Sequence, residues 1–330
     1  MVSLAVLLPV ASTGQGLFQN LGGQRAGTAV FPFLKIETSA SGAGLSGAGV
    51  ALPVDASSVF YNPASIGQLG RRDMVLFHLD MAADVDYDYF ALALPLPRAG
   101  TIGFSYGALH MEPMKETTVF MPFGTGRTFV FRDEFAALTY SIKLSDRFTF
   151  GTTAKYVSET LDDLTMGALL LDFGTYYMTG FRSLRLASSF SNFGHQTRPN
   201  GTYSKIIIDQ NGDEVEADSL EFQSFSPPTT FRLGAGYEMF ESATHRLSTS
   251  FQLTHPADNV ETYALGFEYL FNNVLALRIG YVANQQSMGL SFGGGLKIPM
   301  PGGNVVRFNY AYSQSTYLTA PQRYSIGFAL

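Results

Sequence analysis

From position 72 onward the chain alternates apolar residues with small or polar ones, almost to its last residue. Val75, Phe77 and Leu79 share one face; Phe90, Leu92 and Leu94 alternate with Ala91 and Ala93; Ile102, Phe104 and Tyr106 alternate with Gly103, Ser105 and Gly107. Tyr263, Leu265, Phe267 and Tyr269 stand opposite Ala264, Gly266 and Glu268, and Tyr324, Ile326, Phe328 and Leu330 close the chain. A period of two turns successive side chains to opposite faces of a strand. Charge is scarce beside this pattern: charged residues make up 15% of the chain, aromatics 14%. So many apolar strand faces with so little charge need an apolar solvent. Yet no run of about 18 apolar residues occurs, which argues against transmembrane helices. A membrane β-barrel meets both conditions, because lipid-facing residues alternate with lumen residues and never form a long apolar run.

The segments are about ten residues long, the length a tilted strand needs to cross a bilayer. Counting them predicts an all-β fold, a transmembrane antiparallel barrel of about 14 strands over 72–330, an even number inside the usual range. Short connections, such as Ser145-Asp146, Asn272-Asn273 and Pro299-Met-Pro-Gly-Gly, alternate with long ones at 110–128 and 195–228. That asymmetry predicts short periplasmic turns and long extracellular loops. Within the second long loop, Lys205-Ile-Ile-Ile and Val215-Glu-Ala flank Asn211-Gly212, the signal for a type I′ hairpin.

Ahead of the strands lies a segment of different character. Residues 41–69, SGAGLSGAGVALPVDASSVFYNPASIGQL, are rich in Gly, Ala and Ser. Asn62 before Pro63 reads as a helix cap followed by proline at the first helical position, with Gly67 placed to end the turn. Asp55 reads as the cap of an earlier turn over Ala56 to Tyr61. Residues 17–71 are therefore expected to form a luminal plug of short helical turns, held by an inward-facing polar wall. Farther upstream, Leu4 to Val10 followed by Ala11-Ser12-Thr13-Gly14 resembles the core and cleavage zone of a signal peptide, and 1–16 are read as its remnant.

The stretch GAGVALPVDASSVFYNPASIG followed by such a barrel resembles the outer-membrane proteins related to FadL, the long-chain fatty acid transporter. Residues 259–298, NVETYALGFEYLFNNVLALRIGYVANQQSMGLSFGGGLKI, are similar to a signature of the PorV/PorQ family within that group. The resemblance implies a plug built on an Asn-Pro-Ala motif, here Asn62, Pro63 and Ala64, with Asp55 and Phe60 beside it. It implies a role in type IX secretion, in which PorV-type members receive cargo bearing C-terminal signal domains. Val59-Phe60-Tyr61 before Asn-Pro-Ala departs from the secretion members.

Charge at mid-bilayer facing lipid costs about 2 to 4 kcal/mol for Arg or Lys. Lys143, Lys155, Asp172, Arg232, Glu238, Glu268, Arg278, Lys297 and Arg307 are therefore expected to face the lumen, as structural ion pairs or as the lining of a path. Gly42, Gly44 and Gly47 match a dinucleotide-binding spacing without the strand and helix that fingerprint requires, and read as close-packed plug. Gly289-Leu-Ser291-Phe-Gly293 matches a hydrolase elbow, but the alternation runs straight through it, so Ser291 reads as an inward strand serine. Asp209, Asn211 and Asp213 have the spacing of the first calcium-loop ligands. Glu214 and Leu220 stand where Gly and Glu are required, which excludes an EF-hand; a looser metal site and a solvated acidic hairpin both stay open.

The five His show no ligand spacing, there is no Cys, and no catalytic triad is legible, so neither an enzyme nor a cofactor is expected. A net charge of −6 gives no nucleic-acid surface. Two functions remain: a non-enzymatic outer-membrane protein of PorV/PorQ type that binds secretion partners or cargo at the surface of a bacterial cell, and a FadL-like channel for a hydrophobic small molecule. Outer-membrane lipid is a partner in either.

Overall fold

A computed structural model describes residues 27–208, 214–285, 287–317 and 319–330. The expected signal remnant, the first part of the plug segment (17–26) and the trio Asp209, Asn211 and Asp213 lie outside the described residues.

The alternating segments form strands in chain order: β1 (Asp73–Asp80), β2 (Val85–Leu96), β3 (Gly100–Met111), β4 (Met114–Lys115), β5 (Thr128–Phe129), β6 (Phe131–Lys143), β7 (Phe148–Leu161), β8 (Leu164–Met178) and β9 (Arg185–Phe193). They continue as β10 (Thr202–Ile208), β11 (Glu214–Glu221), β12 (Thr230–Glu241), β13 (His245–Pro256), β14 (Thr262–Phe271), β15 (Leu275–Ala283), β16 (Met288–Pro299), β17 (Val305–Ser315) and β18 (Gln322–Ala329). Among the described residues fourteen of these close an antiparallel barrel, each strand paired with its neighbours in sequence and β1 with β18. The closing register runs from Asp73 opposite Ala329 to Asp80 opposite Gln322. Closure removes the two unpaired edges an open sheet would expose, which hydrocarbon cannot satisfy.

The remaining strands make two ribbons outside the wall, β4–β5 and β10–β11. Each stands on a long connection, and both connections leave the same end of the barrel, here called the long-loop rim; the opposite end, with its tight turns and the chain terminus, is the short-turn rim. The first loop begins later than its sequence suggests, because His110 and Met111 still pair with β2.

The outer face is apolar: Leu138, Leu277 and Phe292 are about half exposed, facing where lipid would lie. The inner face divides into two halves. On β1 and β2 it is mostly apolar, with Val75, Phe77, Leu79, Tyr87 and Tyr89 buried, and Phe135, Val157 and Leu170 extend that patch onto β6, β7 and β8 beside the inward Thr139, Thr153 and Asp172. From β12 round to β18 it is polar, with Arg232, Gln252, Glu268, Arg278, Asn309 and Arg323 buried. An apolar inner wall is stable only against something apolar, and that is residues 27–72, which fill the lumen.

Candidate functional site: the plugged lumen

The plug is built from short turns with local caps. Pro32–Lys35 forms a 3-10 turn that carries Phe33 and Leu34 onto the apolar wall. The Phe33 ring meets Tyr87 edge-on at 6.2 Å. Burying each such side chain contributes about 1.5–3 kcal/mol. Ser39 Oγ then accepts from the Gly42 N–H at 3.2 Å and starts the single α-turn Ala40–Ala43. The Gly42-x-Gly44-x-x-Gly47 stretch therefore serves packing. The Gly44 backbone lies against Gly293 of β16, where a Cβ on Gly44 would come within 2.9 Å of the Gly293 Cα. Ser291 lies on β16, faces inward and donates to Ser313 at 3.1 Å.

Asp55 caps the next turn, Ala56–Phe60, by accepting from the Ser57 N–H at 3.0 Å, while Ser58 Oγ closes a capping box. Ser57 in turn donates to Ser39 at 2.8 Å, tying the two turns together. Asn62 caps the fourth turn, Pro63–Gln68: its Oδ1 accepts from the Ala64 N–H at 2.9 Å and its Nδ2 donates to the Thr175 carbonyl of β8 at 2.9 Å. Pro63 and Ala64 pack against Gly151, and Asn62 against Gly174; a Cβ at either glycine would run into the plug. The wall is thus hollowed where the Asn-Pro-Ala turn seats. Phe60 lies beneath Arg232, whose guanidinium is 5.2 Å from the ring centroid.

The expected lumen charges are mostly paired. Lys155 meets Asp172 at 3.1 Å and donates to Asn192 at 2.8 Å. Arg278 bonds Glu268 at 2.7 Å and Asn309 at 3.0 Å. Glu238 is held by Arg185 and Ser248. Arg232 donates to Ser191 at 3.0 Å. Arg307 pairs with Asp73, at 2.6 and 2.7 Å to its two oxygens. Lys143 departs from the expectation. It keeps the inward register of Ser141, but it ends β6 at the short-turn rim, where the wall stops and solvent covers it. The wall around the plug, expected to be polar, is apolar over β1, β2 and the adjoining Phe135, Val157 and Leu170.

Several residues of the site were not singled out from the sequence. Asp73 is the chief one: its Oδ1 also accepts from the Ala56 N–H at 2.8 Å, so it joins plug to wall. The alternation through Val75, Phe77 and Leu79, extended two residues back, puts a carboxylate on the inward face. Arg323 was open to the same alternation, being the inward neighbour of Tyr324 on β18, whereas Glu37 and the pair Lys35–Asp258 (2.5 Å) depend on plug placement.

Between plug and polar wall lies a cavity of about 330 Å³ that reaches Met81, Gln285 and Pro321 at the long-loop rim. Phe60, Leu79, Val282 and Met288 give it an apolar lining, and Glu37, Arg232 and Arg323 its charges. Glu37 Oε1 and the Tyr61 hydroxyl are buried there without hydrogen-bond partners. Glu37 belongs to the plug and not to a spanning strand; burial pushes its carboxyl up to about 7, against the pull of Arg323 and Arg232. Among the described residues no cluster of His, Asp or Glu has metal-binding geometry.

No protein-family model matches the chain. No curated protein matches it. Solved structures do. The CymD monoaromatic hydrocarbon channel superposes with a TM-score of 0.56 at 12% identity, over 88% of this chain and 96% of that one. The Pseudomonas putida toluene transporter TodX gives 0.55 at 11% identity, over 89% and 97%. A Pseudomonas aeruginosa FadL homologue gives 0.51 at 12% identity, over 88% and 98%. At such identities the likeness is one of fold: the chain shares the closed barrel of these channels, a fold that resides in the bacterial outer membrane.

Proposed function

We propose that the chain is a non-enzymatic channel through which a hydrophobic small molecule enters the cell, with the plug as its gate. The observation that carries this reading is the cavity beside the plug, apolar in most of its lining and continuous with the long-loop rim. On this reading that rim faces the cell exterior and the short-turn rim the periplasm. A solute enters beside Phe60 and Leu79, and a displacement of the plug turns opens its way past the Asn62–Gly67 seat. The resemblance in fold to channels for toluene and monoaromatic hydrocarbons supports such a solute.

The test is uptake of labelled toluene and of a labelled long-chain fatty acid by cells with and without the protein. Faster entry of either one that is lost when the cavity is filled by Ala264→Trp supports the reading. Entry unchanged for every lipophile tried, with the barrel present and folded, overturns it.

A second reading keeps the PorV/PorQ resemblance and assigns the chain to protein export. Its support is the tip of the loop between β3 and β6, where Val119, Phe120 and Phe123 are more than 90% exposed. Apolar side chains so exposed on a structured loop are a feature of partner-binding surfaces. Cross-linking from position 120 in native membranes separates the readings: capture of a secretion component or cargo domain favours this one, capture of none disfavours it.

A further inference from the structure

The short-turn rim of the lumen carries more positive charge than its carboxylates can balance. Lys297 on β16 and Arg307 on β17 are direct cross-strand partners and both face inward. Like charges in that relation repel. Arg307 is neutralised by Asp73, which spends both oxygens on it, and Glu268 is taken by Arg278. Glu238 is taken by Arg185. Lys297 and Arg246 are left with no ion pair and no side-chain hydrogen bond among the described residues, and Arg246 Nε is buried without an acceptor.

These two cations share the walls of two adjoining cavities. One, of about 160 Å³, lies beneath Leu52, Pro53 and Val54 of the plug, with the paired Arg185, Glu238 and Glu268 also in its walls. The other, of about 420 Å³, extends past Arg71 to the turn residue Asn273 and to Pro299 at the end of β16. A guanidinium offers paired N–H groups and an ammonium a point charge, a combination suited to the oxygens of one carboxylate or phosphate.

We infer that the short-turn mouth holds an anion-binding site, with Arg246 and Lys297 as its ligands and a carboxylate or phosphate group as its occupant. The group can come from a free anion or from the head of an amphiphile leaving the lumen. The site does not depend on the passage reading, because a free anion reaches it from the rim without crossing the barrel. Its position under Val54 couples occupancy to the plug segment that leads into the Asp55 cap.

The experiment uses the full chain in neutral detergent at low ionic strength. Inorganic phosphate, dodecyl phosphate, dodecanoate and dodecanol are titrated calorimetrically into the wild type and into the double variant Arg246→Gln/Lys297→Gln. Binding of phosphate or of an alkyl anion that weakens at least tenfold in the double variant is the expected result. An alkyl anion that binds more tightly than phosphate identifies the amphiphile as the source; equal affinities identify the free anion. The variant removes repulsion, so its barrel, followed by heat-modifiable gel migration, should unfold at the same or a higher temperature in the absence of anion. Anion affinities equal in the two proteins, or no anion binding at all, overturn the inference, as does binding of dodecanol on a par with the anions.

Discussion

Asp73 and Arg307, 234 residues apart in sequence, form a buried ion pair at 2.6 Å across the strand that lies between them. The same carboxylate receives the Ala56 N–H, so one side chain fastens the plug turn Ala56–Phe60 to both the first strand and the penultimate one.

Arg307→Gln leaves Asp73 buried without its cation. Removing one partner of a buried pair costs about 3–5 kcal/mol. Thermal unfolding of the purified protein should shift down accordingly, and conductance across a planar bilayer should rise as the plug loosens. Arg307→Lys should fall between, since an ammonium keeps the charge on a side chain of different length and shape from the one whose Nη2 reaches both Asp73 oxygens. Unchanged conductance in the Gln variant would show that the pair does not hold the plug.

The plug seat is tested at Gly174. A leucine there overlaps Asn62, and the plug turn Pro63–Gln68 cannot occupy its place. The outcome expected is an intact barrel, shown by heat-modifiable migration, with cleavage of the plug by added protease that the wild type resists. Full protection would mean that the wall yields and the plug does not.

Asn62→Ala removes the cap of Pro63–Gln68 together with the bond to Thr175. Loss of a cap alone costs about 0.5–2 kcal/mol. Asn62→Asp keeps the cap but not the donor to Thr175. If the cap dominates, urea unfolding should leave the Asp variant close to wild type and the Ala variant clearly below it.

Glu37 supplies a pH dependence. Its carboxyl is raised from 4.5 to about 7 in the folded protein, so the unfolded chain gives up this proton first. Folded-state stability from this group is complete below 4.5 and declines as pH rises towards 7. Glu37→Gln cannot lose a proton, so it should match wild type at the acid end of this window and unfold at a higher temperature than wild type above it. Two melting curves that stay parallel across the window would refute the assignment.

The barrel was legible because alternation survives averaging: each strand repeats the same period, and the outer apolar face must answer to lipid. Asp55 and Asn62 were legible for a different reason, since caps act over two or three residues and leave a local mark. Val75, Phe77 and Leu79 show where such reasoning stops. Hydrophobicity alone cannot say that this face looks inward, because an apolar lumen exists only once the plug is in it. Lys143 shows a second limit, as parity gives the direction of a side chain but not whether wall remains on either side of it. The partnership of Asp73 with Arg307 rests on closure of the whole circle, and no window of sequence contains it.

The polypeptide runs lengthwise through the lumen, from the bridge between Ala29 and Ser226 at one rim to Arg72 at the other, where the Leu330 N–H donates to the Arg72 carbonyl at 2.9 Å. A thread so placed, continuous with β1, is not a stopper pushed into a finished tube. The topology implies assembly by wrapping: the strands curl about the segment made before them, and the β1–β18 seam zips last because it joins the most distant parts of the chain. The chain has no native cysteine, so engineered pairs can time the two events, and a seam that cross-links before the plug does would refute the order. A plug acquired in this way is an inner template for the barrel before it is a filling within it.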